Sequence, residues 1–109
     1  MLAGKQLPLP ASKVAIMKIE HEHSGHRGAF VWMEDGERLA VMSYTVAGSR
    51  VIIDHTDVDD RLRGKGAGKQ LVKSAVEWAR ADKVQLLPLC PFARSVFEKT
   101  PEYSDVLAK

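Results

Sequence analysis

The hydrophobic pattern of the chain changes period once. Between residues 13 and 58 apolar residues come in short runs separated by polar turns; from residue 71 they recur every three or four positions. "KVAIMKI" (13–19) predicts a first strand, with the polar stretch "EHEHSGH" (20–26) as the turn that follows. "RGAFVWM" (27–33) and "RLAVMSYTV" (38–46) lie on either side of "EDGE", and an Asp-Gly pair between two such runs is a strong hairpin signal. "AGS" (47–49) makes another turn, and "RVIIDHTDV" (50–58) reads as a fourth strand, so the first half is an antiparallel meander. Leu71, Val72, Ala75, Val76, Trp78 and Ala79 then form a stripe at helical spacing, broad enough to lie on a sheet. "VQLLPL" (84–89) is a short strand after that helix, and strand, helix and strand in this order make a parallel crossover. Residues 91–99 predict a second, shorter helix, and "TPEYSDVLAK" closes the chain. The predicted fold class is α+β: a mixed sheet, meander first and βαβ crossover second, with helices packed on it.

Composition narrows the function more than the fold. A chain of 109 residues, 45% apolar, fits a single domain over 1–109 that buries a modest core without metal or disulfide, with residues 1–12 as a flexible N-terminus. The charge is nearly balanced, 16 Lys+Arg against 14 Asp+Glu, so no strong field points to nucleic acid or an anionic membrane, and any basic site must be local. The lone cysteine cannot form an internal disulfide, which fits a reducing compartment; a cytoplasmic protein is expected. The stretch "MLAGKQLPLPASK" (1–13) lacks the long apolar run of a secretory signal, so none is expected, and no apolar run reaches the ~20 residues needed to span a bilayer. His21, His23 and His26 have metal-like spacing, but nothing completes a four-ligand site, and no metal is expected. Trp32 and Trp78 lie within apolar periodic runs and are read as packing residues.

The chemistry concentrates in "RLRGKGAGKQL" (61–71), where Gly64, Gly66 and Gly68 alternate just ahead of the long helix. Glycine permits backbone conformations and close approaches that a Cβ forbids. A helix N-terminus presents unpaired N–H groups and about half a positive charge, and Arg63, Lys65 and Lys69 add full charges, so a diphosphate suits the loop. A Walker A loop fails, since Arg63 stands where its first Gly should be and Gln70 where its hydroxyl should be. A dinucleotide fingerprint fails too, on both spacing and the antiparallel context. The plain alternative is a basic turn on a solvated surface.

Arg63-x-x-Gly66-x-Gly68 resembles the acetyl-coenzyme A loop of the GNAT N-acetyltransferase superfamily, whose pattern is Gln/Arg-x-x-Gly-x-Gly/Ala between a strand and a long helix. With "HTDV", "PLCPF" and "PEYSDV", the chain is similar to a short, single-domain subgroup carrying a Cys-Pro motif after the fifth strand. The resemblance implies an acetyl-CoA-dependent N-acetyltransferase acting on a small-molecule or protein amine. It implies that Arg63, Gly64, Lys65, Gly66, Ala67, Gly68 and Lys69 hold the diphosphate of coenzyme A. Thr56, Asp57 and Val58 would pair with the pantetheine arm where the fourth and fifth strands splay. Pro88 independently supports such a gap, because proline in a core strand is tolerated mainly where pairing has already broken.

If the second helix starts at Pro91, its favoured first position, Cys90 caps the positive end of that helix, which lowers a thiol pKa. The thioester is then expected near Cys90 and His55, either with His55 taking the proton of an attacking amine or with Cys90 acetylated first. The chain departs from the family where a glutamate base is common, since only Asp54 and His55 could serve. It departs again where a tyrosine acid is common, since Phe97 stands at the matching position in the cofactor region. Tyr44 and Tyr103 are substitute candidates. A partner subunit, in a homo-oligomer, could complete the acceptor pocket. The competing readings are a non-catalytic acyl-CoA binder and, more distantly, a nucleic-acid module.

Overall fold

The structure is a computed structural model that describes residues 17–108; the expected flexible stretch 1–12 and residues 13–16 of the first predicted strand lie outside the described residues. Three two-residue turns build the first four strands: β1 (Met17–Ser24), β2 (Arg27–Glu34), β3 (Glu37–Ala47) and β4 (Arg50–Val58). The central turn has both residues in the left-handed region, Asp35 at φ 50° and Gly36 at φ 82°, as the Asp-Gly signal requires. Long helix α1 (Ala67–Asp82) leads to β5 (Gln85–Pro88), then α2 (Pro91–Lys99) and a 3-10 helix at Pro101–Val106. The sheet order is β1-β2-β3-β4-β5, antiparallel throughout except for the parallel β4–β5 pair. The α+β class, the meander and the crossover therefore stand as expected.

Two expectations are corrected. The stretch 20–24 is strand rather than turn, and the turn contracts to Gly25 and His26. β1 is an edge strand, so its period-2 pattern carries few apolar residues; Ile19 and His21 face the helix side while Glu20 and Glu22 face away. His21 stacks on Phe30 with ring centroids 4.2 Å apart and bonds the Tyr44 hydroxyl through Nε2 at 2.5 Å. The second correction is that α1 begins at Ala67, inside the glycine loop, four residues before its first large apolar side chain.

One contiguous core ties the sheet to both helices. Leu71, Val72, Ala75, Val76 and Ala79 of α1 pack onto Phe30, Met42, Tyr44, Val51 and Ile53 of the sheet, with Ala93, Val96 and Phe97 joining from α2. Each large, fully buried aliphatic here contributes about 1.5–3 kcal/mol. After α2 the chain returns to the sheet: Leu107 bridges Leu86 in parallel and the Ala108 N–H donates to Leu86 O at 2.7 Å, covering the outer edge of β5.

Candidate active site

β4 is paired on both sides only in its first half. Its register with β5 ends at Ile53↔Pro88. Proline has no N–H to continue the ladder, and the next two donors, Leu89 N–H and Cys90 N–H, both turn to Ile53 O at 3.1 and 3.2 Å. Beyond that point Asp54 to Val58 keep β3 as their only strand neighbour among the described residues, leaving a free edge that faces the start of α2. The register with β3 shifts at the same place: Tyr44 pairs with Ile53 and Ser43 with His55, so Asp54 is an inserted residue. The bulge resets the alternation. Thr56 and Val58, opposite Met42 and Ala40, stay on the helix side; His55 and Asp57, opposite Ser43 and Val41, point to the helix-free face.

The glycine loop closes one end of this gap. Leu62, 2% exposed, anchors a short 3-10 turn at Asp60–Leu62 whose cap is the Asp59 carboxylate, accepting from Arg61 N–H at 2.8 Å. Hydrogen bonding from the Arg61 side chain, then from its backbone, pulls the Asp59 pKa down to about 2. Gly64 at φ 80° and Gly66 at φ 72° then swing the chain into α1, conformations that any side chain would strain. Not every amide of the loop is available: Arg63 N–H is bonded to Asp60 O and Lys65 N–H to Leu62 O. The first turn of α1 is different. Its cap residue, Gly66, supplies no side-chain bond, and the turn contains no acidic residue, so the amides of Ala67, Gly68 and Lys69 face outward with basic neighbours. Lysine in a first turn opposes the helix dipole, a local cost that a bound anion would reverse. Arg63 makes an exposed ion pair with Asp60 at 3.1 Å, which contributes little and leaves the guanidinium movable.

α2 brings a second helix N-terminus to the same gap. Cys90 is its cap residue and Pro91 occupies the first turn, as the sequence predicts. Its thiol, 6% exposed, lies 3.4 Å from Thr56 Oγ1 across the opening. Burial pushes the Cys90 pKa up, but the Thr56 hydroxyl and the backbone N–H groups of Ala93, Phe92 and Thr56 outweigh it, and the net shift is downward. The sulfur is thus surrounded by donors that favour the thiolate.

His55 does not meet Cys90. The exposed imidazole lies on the sheet face opposite the Thr56–Cys90 pair, so any shared task would require the two groups to act from opposite sides of β4. Phe97 is buried against Tyr103 in an edge-on contact, centroids 5.9 Å apart, and lines a different hollow with Leu87, Pro88 and Leu89. Tyr44 is 2% exposed and engaged with His21; burial, followed by the Asp82 charge, raises its pKa. Trp32 and Trp78 are packing residues, each also donating from Nε1, to Glu34 and Asp82. No three-ligand cluster that could hold a metal occurs among the described residues. Sequence reasoning missed Phe92, whose ring stands over the first turn of α1; the only available signal was an aromatic residue one place after Pro91.

The sequence pattern of the GCN5-related N-acetyl-transferase family matches residues 29–106. The chain is 28% identical over 85 residues to Protein NATD1 of Homo sapiens, covering 76% of this chain and 75% of that protein. A GCN5-like protein of Staphylococcus aureus, determined by NMR, superimposes with a TM-score of 0.62 at 33% identity, over 82% of this chain and 87% of that one. The ribosomal-protein-S18-alanine N-acetyltransferase of Escherichia coli shares the fold with a TM-score of 0.61, at 16% identity over 71% of this chain and 53% of that one. A five-stranded mixed sheet that splays at Pro88, a glycine turn feeding an uncapped helix, and matches over most of the chain lead to one assignment: this protein belongs to the GCN5-related N-acetyltransferase family.

Proposed function

We propose that the protein is an acetyl-CoA-dependent N-acetyltransferase built as a single domain. One observation carries this reading: two helix N-termini without acidic first turns, that of α1 capped by a bare glycine and that of α2 by the Cys90 sulfur, converge on the free edge of β4. The residues fit an acyl-CoA substrate. Outward amides at Gly66, Ala67, Gly68 and Lys69, with the side chains of Arg63, Lys65 and Lys69, suit a diphosphate; Gly64 sets the turn that exposes them. The edge of β4 at Thr56, Asp57 and Val58, which no strand extends among the described residues, suits an extended arm bearing amides, which would add to β4 as a strand does. Bound acetyl-CoA supplies an activated acetyl thioester.

The protein's own groups then divide the work across β4. The Cys90 thiolate, held by Thr56 and the α2 amides, attacks the carbonyl carbon; a C–S bond forms to Cys90, and the coenzyme's C–S bond breaks to release its thiolate. The acceptor amine approaches from the helix-free face, where His55 takes its proton as nitrogen displaces Cys90. In the direct variant the amine attacks the thioester itself, and Cys90 with its donors supports the departing sulfur. Intact-mass spectrometry after incubation with acetyl-CoA separates the two: a gain of one acetyl group that Cys90→Ala abolishes supports the covalent route. A protein that stays unlabelled, with full turnover in Cys90→Ala, eliminates it. Thermal unfolding with millimolar CoA tests the binding half, and an unmoved transition overturns the whole reading. Phe97, lacking a hydroxyl where the family's acid stands, favours a second reading as an acyl-CoA sensor; CoA release that no amine accelerates distinguishes it.

A further inference from the structure

The function proposed above leaves one exposed aromatic unexplained. Phe92 is in the first turn of α2, two residues after Cys90, yet its side chain is 38% exposed rather than folded into the core. Its ring bears on the first turn of α1: a Cβ built on Gly68 would collide with two of its ring atoms and crowd a third. Gly68 is therefore not free for the same reason as Gly64 and Gly66, which need positive φ and face open space; it is bare because the Phe92 ring occupies the place of its side chain. Between the ring and the end of β4 lies a hollow of about 310 Å³, lined by Val58, Leu62, Ala67 and Gly68 as well as Phe92. Arg63 and Lys69 stand at its loop end. Most of its wall is apolar while one end is cationic. Cys90, the cap residue of the helix whose first turn carries Phe92, faces Thr56, two residues before Val58 on β4, so the thiol lies further along the same edge.

A ligand matched to that profile is anionic at one end and slender and weakly polar along its length. Resting on the acetyl-CoA reading, we propose that Phe92 is the wall that positions the pantetheine arm, pressing it against the free edge of β4 so that its sulfur reaches Cys90. The Gly68 contact fixes the ring and so sets the width of the channel. Phe92 makes no bond to the diphosphate, and its contribution is confined to the arm.

The test is calorimetric titration of wild type, Phe92→Ala and Phe92→Leu with coenzyme A, alongside competition by 3′-phosphoadenosine 5′-diphosphate, which keeps the diphosphate and lacks the arm. The expected result is a loss of about tenfold in coenzyme A affinity for Phe92→Ala, the size of truncating one packed anchor at a binding surface. Phe92→Leu restores most of that loss, and inhibition by the arm-less nucleotide is the same in all three proteins. Unchanged coenzyme A affinity in Phe92→Ala overturns the inference, and so does an equal loss for both ligands, which would place the ring at the phosphates. A wild type that binds no coenzyme A overturns the acetyl-CoA reading itself, a result distinct from either.

Discussion

The two halves of β4 differ in what surrounds them, and the difference separates stability from chemistry along nine residues. Val51 to Ile53 lie between β3 and β5 and send Val51 and Ile53, each 1% exposed, into the core. Thr56 to Val58 have a strand on one side only, and their helix-side groups face the openings of α1 and α2. One half can be read as scaffold and the other as a surface held open by it. Substitutions in the first half should therefore act on folding, while those around the second should act on ligands with little effect on folding.

Ile53→Ala gives the largest effect expected: about 3 kcal/mol lost in urea unfolding, because a fully buried branched side chain leaves a cavity. A loss under 1 kcal/mol would mean that the first half is not the scaffold. Lys69→Glu sharpens the contrast by giving opposite signs. Placing a carboxylate in the first turn of α1 should stabilise the fold by about 0.5 kcal/mol, since it complements the helix dipole. The same change should weaken coenzyme A binding roughly tenfold, through reversal of a charge beside the diphosphate. Stability and affinity falling together would break the separation. Thr56→Val should leave unfolding within about 0.5 kcal/mol of wild type. Removing the hydroxyl should raise the Cys90 pKa, so the pH profile of alkylation by iodoacetamide moves to higher pH; an unmoved profile would remove Thr56 from the thiolate's support.

The smallest effect lies far from the gap. The His21 pKa is lowered by partial burial first and by His23 second, with Asp82 opposing. Its unfolded value is near 6.5, so the unfolded chain takes the proton first as pH falls. The contribution of neutral His21 is thus full above 6.5 and lost between 6.5 and the depressed folded value. Stability followed by urea titration across that window should fall in wild type and fall less in His21→Gln.

The sequence disclosed most where local rules decide. Pro91 predicted the start of α2, the Asp-Gly pair predicted its turn, and the run 50–58 predicted β4 with matching ends, each from chemistry contained in a few adjacent residues. What it concealed depends on groups distant in the chain. No local signal tells that Asp54 is the bulged residue; that follows from how β3 and β4 settle their register. Nor does anything near Gly68 disclose that a ring 24 positions later fills its side-chain space. His55 is expected beside Cys90 because it stands near the end of the strand that borders the gap, and the bulge at Asp54 is what turns it to the other face. The early start of α1 was hidden because Ala67 and Gly68 are small residues that bury themselves without looking hydrophobic.

Ile53 O accepts from both Leu89 and Cys90, and a carbonyl oxygen has two lone pairs. That acceptor is saturated, and the two donors that could have extended the zipper are both committed to it. The fork between the strands consequently has a fixed crotch: β5 cannot advance by another rung, nor retreat without orphaning two amides at once. A guest arriving there meets a stretch of β4, Thr56 to Val58, with no strand on this side among the described residues, so no ladder rung has to be melted before it can bind, and the Thr56 N–H that it meets is turned to the Cys90 sulfur.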